Sequence, residues 1–160
     1  MIKTIISGGQ VGADVSGLIA AKKFGIATGG CMPNGCRTLD GPKPEWKEKY
    51  NLQEHSSSSY PPRTFLNAKE SDGTIRFAYN FGSSGELCTL KALNQYNKPY
   101  IDIDIKNPRP IQEVIEWLNK NNIETLNVAG NSEKTFAGMT VFVVNYLSKL
   151  FLELGFKEIE

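Results

Sequence analysis

Ile2-Lys3-Thr4-Ile5-Ile6-Ser7-Gly8-Gly9-Gln10-Val11-Gly12-Ala13-Asp14 is the stretch that decides the fold. An apolar run stops at Ser7-Gly8-Gly9, and Val15, Leu18, Ile19, Ala21 and Phe24 follow at helical spacing until Gly25 closes the pattern. This predicts a strand, a tight turn and a helix. Gly8 and Gly9 permit close backbone approach, and Gly12 removes a side chain where the helix begins. Together with Gln10 they make the start of that helix an expected anion site, because its first N–H groups and its dipole both favour negative charge. The plainer reading, glycines that only shape a strand-to-helix turn with Asp14 as a helix cap, stays open at this point.

Outward from this unit the same alternation continues. A short strand is predicted at 26–28 and a long irregular stretch at 29–62, which holds five of the eight prolines and the run of four serines from Ser56. A connection of that length in a compact domain is expected to be a binding loop or cover. A short helix is predicted at 63–69, a strand at 73–78, and a helix at 84–96 with Leu87, Leu90 and Leu93 inward. Then come a strand at 99–105, an amphipathic helix at 111–121 through Val114, Ile115 and Leu118, and a strand at 125–129. A last helix at 137–154 is apolar nearly all round, as a subunit interface or a centrally buried helix would be. Strands alternating with helices predict one α/β domain over 1–160, a Rossmann-like three-layer sandwich with a mainly parallel sheet of about five strands.

Two further glycine-rich turns fall at strand ends. Ser83, Ser84, Gly85 and Glu86 form one, and Gly130, Asn131, Ser132, Glu133 and Lys134 the other. In doubly wound sheets the ligand crevice lies at the carboxyl ends of strands, so Ser83, Ser84, Gly85, Gly130, Ser132 and Lys134 join the first loop as candidate ligand contacts. Arg37 and Arg63 are candidate anion contacts, and Glu86 or Asp72 is the candidate acid or base if the protein is an enzyme. Each has a plainer reading: Lys134 as a solvated lysine, Glu86 as complement to a helix dipole, Asp72 as a turn former.

Several classes are disfavoured. Neither a Walker loop nor G-x-G-x-x-G is present, and the second strand ends in Thr28-Gly29-Gly30 instead of a ribose-binding acid, which argues against hydride transfer. Cys31 and Cys36 make a C-x4-C pair with only His55 and Cys88 to complete it, so no metal site and no disulfide framework is expected. Eighteen Lys and Arg stand against seventeen Asp and Glu, a net charge of +1, which gives no overall field for nucleic acid. No apolar run reaches the ~20 residues of a membrane span, and the opening residues lack the features of a signal peptide, so a cytoplasmic location is expected.

Four separated segments, GGQVGAD, CMPNGCRTLDGP, YNLQEHSSSSYPPRTFLNAKESDGT and LNVAGNSEKTFAG, together resemble the molybdenum cofactor carrier family. The resemblance runs from about residue 5 to residue 138. It implies a Rossmann-like fold related to the lysine-decarboxylase-like cytokinin-activating proteins and a homo-oligomer, dimer or tetramer. It also implies a ligand that is either molybdenum cofactor, a pterin phosphate, or a nucleotide. Gly8, Gly9, Gly12, Asp14, Gly35, Arg37, Asp40, Gly41, Arg63, Thr64, Ser71, Asp72, Gly73, Thr74, Asn127, Gly130 and Ser132 occupy the family's motif positions. The sequence departs from the family at His55 and at the turn Ser83-Ser84-Gly85-Glu86. The PGGxGTxxE motif of the cytokinin-activating enzymes is not reproduced, so their phosphoribohydrolase activity is not implied.

Overall fold

In the computed structural model, which describes residues 1–159, six parallel strands form one sheet. Their ranges are β1 (Thr4–Ser7), β2 (Ala27–Met32), β3 (Gln53–Glu54), β4 (Gly73–Ala78), β5 (Tyr100–Asp104) and β6 (Thr125–Gly130). The helices are α1 (Ala13–Lys23), α2 (Glu45–Tyr50), α3 (Tyr60–Glu70), α4 (Ser84–Gln95), α5 (Ile111–Lys120) and α6 (Met139–Glu153). The sheet order is β3-β2-β1-β6-β4-β5. From β1 the chain moves outward through β2 to β3; from β4 it moves outward the other way to β5, and β6 returns between the two halves. The connections after β1 and β4 therefore diverge on either side of β6, which is where a crevice opens in such sheets.

Alternation along the strands divides the sheet into two unlike faces. Ile75 and Phe77 of β4 and Leu126 and Val128 of β6 join one apolar core with α1, α5 and α6. Thr74, Arg76 and Asn127, the alternate residues, are buried on the opposite side, where a small cluster of Phe65, Ala68, Ala92 and Leu93 holds α3 against α4. Stability therefore comes mainly from the first face, and the second is free to be polar.

Three expectations change. The sixth strand, β3, lies inside the stretch read as irregular, as does α2; β3 is two residues long and is defined by its pairing with Cys31 and Met32 of β2, so it carries no periodic signal. Leu87 does not face inward but is 55% exposed, because α4 turns Glu86, Thr89, Ala92 and Leu93 toward the sheet. The sequence stripe misleads here because two of those inward residues are polar. Finally, the centrally buried reading of α6 changes, since Met139, Val143, Tyr146, Leu147, Leu150 and Phe151 are buried while Val141 and Leu152 are exposed, as a helix with one face uncovered in the chain would be.

Close approach fixes one glycine. A Cβ on Gly130 would lie 1.9 Å from the Phe77 carbonyl oxygen of the neighbouring strand, an overlap that only a shift of the β4–β6 ladder relieves. Gly130→Ala is expected to cost about 3 kcal/mol or more in urea denaturation. Gly85→Ala, whose Cβ would meet nothing within 4 Å, is expected to be neutral or to stabilise by up to about 1 kcal/mol, since Gly is a poor helix residue.

Candidate functional site

A crevice of about 410 Å³ opens at the carboxyl ends of β1, β6 and β4, on the polar face. Its walls come from the turns after these three strands and from α3 and α4. The β1 and β6 turns are stitched together, with Ala13 N–H donating to Asn131 O at 3.1 Å and Glu133 N–H to Val11 O at 3.3 Å. Gly12 makes this possible, because a Cβ there would sit 2.6 Å from Asn131 O. A Cβ on Gly9 would face Met32 and Leu52 beneath the loop. Among these glycines only Gly8 lines the crevice, and a Cβ there would meet the Arg63 guanidinium at 2.6–2.9 Å.

The start of α1, expected to hold an anion, already has acceptors of its own. Ala13 N–H is taken by Asn131, Val15 N–H by Gln10 O, Ser16 N–H by Gly12 O, and Val11 N–H by Gln10 Oε1. Asp14 does not cap α1, whose N-cap is Gly12. Its Oδ2 accepts from Gln10 N–H at 3.3 Å and lies 3.9 Å from Arg63 Nη1. Burial pushes the Asp14 carboxyl up, and Arg63 and the Gln10 N–H pull it back.

The start of α4 differs. Ser83 is its N-cap, while Ser84 and Gly85 are exposed and their N–H groups meet no protein acceptor. Glu86, only 3% exposed, accepts through Oε2 from Ser83 Oγ at 2.9 Å and Asn131 Nδ2 at 2.7 Å. Burial raises its carboxyl, helped by the negative charge of Asp14 and opposed by those two donors. Arg76 holds this turn from below: it forks onto Asp102 with two 2.8 Å bonds and donates to Glu86 O at 3.1 Å.

Arg63, on α3, is the cation of the crevice. It is 9% exposed, donates through Nη1 to Thr64 Oγ1 at 2.6 Å, and lies over the Tyr60 ring. Among the described residues its Nε is buried without a partner and its Nη2 meets no acceptor.

The structure thus brings Gly8, Gln10, Asp14, Arg63, Ser83, Ser84, Gly85, Glu86, Gly130 and Ser132 to one crevice. Other candidates lie elsewhere. Arg37 is exposed, donates to Ser58 O at 2.6 Å and stacks on the far side of Tyr60. Lys134 donates to Leu39 O at 2.8 Å, tying down the loop that Gln10 Oε1 also holds through Leu39 N–H. Asp72 sits at the opposite, amino end of the sheet, where it accepts from the N–H groups of Glu124 and Thr125, so it cannot serve this crevice as acid or base. His55 Nδ1 accepts from Ser57 N–H within its own loop. Cys88 lines the crevice, and burial raises its thiol. Tyr60, Asn67, Thr89 and Thr135 also line it; the site reading of the sequence missed them, as they fall in no glycine turn. Asn131 was missed as well, although its Oδ1 and Nδ2 organise the turns on both sides.

A Rossmann-like α/β sheet with a polar crevice at its central strand ends defines the class. Within it, residues 5–151 match the model of the circularly permuted YpsA SLOG family, and the chain belongs to that family. The crystal structure of a putative molybdenum carrier protein from Syntrophus aciditrophicus SB is similar to this chain at 34% identity and a TM-score of 0.85, over 94% of this chain and 95% of that one. No curated protein matches the chain significantly. Among the described residues no helix is long and apolar enough to cross a membrane.

A raised carboxyl gives a testable sign. Because the folded-state value of Glu86 lies above that of the unfolded chain, ionisation penalises the fold; the penalty is absent below about pH 4 and grows as pH rises through the folded value. Glu86→Gln keeps an oxygen for Ser83 and Asn131. Its Tm is expected to equal or exceed that of the wild type at pH 8, with the difference vanishing as pH approaches about 4. A lower Tm at pH 8 would show that the charge itself is needed for folding.

Proposed function

We propose that the crevice binds a flat heterocycle linked to phosphate and that the protein acts as a carrier of that ligand, molybdenum cofactor being the first candidate cargo. The observation that carries this reading is Arg63, a buried guanidinium with Nε unpartnered and Nη2 unopposed, on the wall of a crevice that also holds the open N–H groups of Ser84 and Gly85. Charge-assisted bonds from a guanidinium and open helix donors are what a phosphate needs. The phosphate is placed in this reading on the first turn of α4 rather than on that of α1, where the N–H groups of Val11, Ala13, Val15 and Ser16 already have acceptors. The similarity to the molybdenum carrier protein of Syntrophus supports the choice of cargo. Arg63, Ser84, Gly85 and Ser132 are the proposed ligand contacts, and a cytoplasmic homo-oligomer is the proposed form of the carrier.

A second reading, a nucleotide-processing enzyme, is favoured by one observation: Glu86 is buried beside that turn with its carboxyl raised, as suits a general acid. Release of free base from AMP by the wild type but not by Glu86→Gln would select it.

Ser84→Pro tests the phosphate contact cleanly. Proline suits the first helical position and deletes one N–H, and Ser83 at φ −65°, ψ 156° already has the conformation a residue before proline prefers. Calorimetric titration with molybdenum cofactor, AMP and GMP is expected to show about tenfold weaker binding in Ser84→Pro and no measurable binding in Arg63→Met, with Ser84→Pro keeping the wild-type Tm. Unchanged affinity in both variants would overturn the assignment.

A further inference from the structure

Three acceptors of the crevice are held in place by hydrogen bonds to neighbouring groups. Glu86 Oε2 already receives Ser83 Oγ and Asn131 Nδ2, which orients the carboxylate, and among the described residues no donor reaches Oε1. Asp14 is fixed in the same manner through Oδ2, with Gln10 N–H as its donor. Asn127, 4% exposed, donates through Nδ2 to Thr74 Oγ1 at 3.1 Å, and its carbonyl oxygen has no donor among the described residues. All three residues line the crevice. A ligand buried against them must bring donors, because an acceptor placed opposite a buried acceptor leaves both unpaired.

Among heterocycles that carry phosphate, this requirement discriminates. Guanine and pterin rings with a 2-amino-4-oxo pattern present a ring N–H beside an exocyclic amine, two adjacent donors. Adenine presents one amine beside a ring nitrogen that accepts, and hypoxanthine and lumazine lack the 2-amino group. A carboxylate only accepts, so it favours the first pair. Ribose hydroxyls also donate, but each adds lone pairs to a wall that is already rich in them.

Resting on the reading that this crevice takes a phosphate-linked heterocycle, we propose that Glu86, seated by Ser83 and Asn131, is its specificity-determining residue and selects a 2-amino-4-oxo ring through the donor pair of that ring's edge. Oε1 accepts from the ring N–H, and the acceptors beside it, Asn127 and Asp14, take the neighbouring amine. Arg63 and the first turn of α4 are left for the phosphate.

The test is calorimetric titration of the full chain with GMP, IMP and AMP, with pterin against lumazine, and with guanosine against inosine. In the wild type GMP is expected to bind about tenfold or more tighter than IMP and AMP, and pterin tighter than lumazine by a similar factor, the usual consequence of losing a hydrogen bond to a charged group. In Glu86→Gln the amide oxygen stays on Ser83 and Asn131 and an NH₂ group turns into the crevice. The preference should then collapse or reverse toward AMP and lumazine. Equal wild-type affinities for GMP, IMP and AMP would overturn the proposal without any variant, and would mean that the shared ribose phosphate is what is read. An unchanged GMP preference in Glu86→Gln would also overturn it. The two readings fail separately. If inorganic phosphate and ribose 5-phosphate bind but ring identity is ignored, the phosphate reading stands and this one falls. If guanosine is preferred to inosine while the 5′-phosphate adds nothing, this one stands and the phosphate reading falls.

Discussion

The side chain of Asn131 is the joint on which the crevice depends. It is 1% exposed and uses all of its hydrogen-bonding capacity at one point. Oδ1 accepts from the N–H groups of Tyr79 and Asn80, and Nδ2 donates to Asn80 O and to Glu86 Oε2. In this way the turn after β4, the turn after β6 and the first turn of α4 become one rigid body. Its own carbonyl extends the joint to α1 by accepting from Ala13 N–H. Buried polar groups of this kind are costly when half satisfied and specifying when complete. An apolar side chain of equal volume would leave the Tyr79 and Asn80 N–H groups without partners and take one of its two donors from the Glu86 carboxylate.

Such a joint is tolerable because folding does not draw its stability from this side of the sheet. The apolar face, with Phe151, Leu147 and Met139 wholly buried against Ile5, Phe77 and Leu126, supplies most of the burial. The other face holds Arg76, Thr74, Asn127 and Glu86, each with at least one hydrogen bond to a neighbouring strand or turn. The Arg76–Asp102 fork is stacked between Phe81 and Tyr100, so the most buried charge on this face is neutralised within β4 and β5. It acts on the site by holding the Glu86 carbonyl and by opposing the upward shift of the Glu86 carboxyl.

Sequence made the first face legible and the second only in part. The strand at 73–78 and the start of α4 are visible because Gly, Ser and the alternation in Thr-Ile-Arg-Phe follow the local rules for strands and turns. The fold class follows from that alternation. What stays hidden depends on pairing across distance. β3 exists only because Met32 and Cys31 offer an edge; the inward side of α4 is set by what Asn131 binds, not by where its leucines fall; Arg63 matters because Gly8, 55 positions earlier, leaves room for it. The glycine turns were correctly located as neighbours. At the start of α1, Ala13 N–H is taken by the distant β6 turn through Asn131 O, a pairing across 118 positions that no local pattern signals, while Val15 and Ser16 N–H are taken by Gln10 O and Gly12 O in the same loop.

That spent turn changes the electrostatics of the crevice. The N-terminal turns of α1 and α4 each carry a buried carboxylate, Asp14 and Glu86, and Arg63 is the one buried guanidinium facing them, since Arg76 is committed to Asp102. A phosphate lodged between the two carboxylates at ~6 Å would meet a repulsion of about 3 kcal/mol per charge pair at an effective dielectric of about 20, and one guanidinium offsets only part of it. The same phosphate at Ser84 and Gly85 reaches exposed N–H groups and is screened by solvent. The heterocycle is then left to the deep end, where negative charge favours a neutral ring rich in N–H. For the proposed ligand, the two carboxylates favour phosphate outward and donor edge inward.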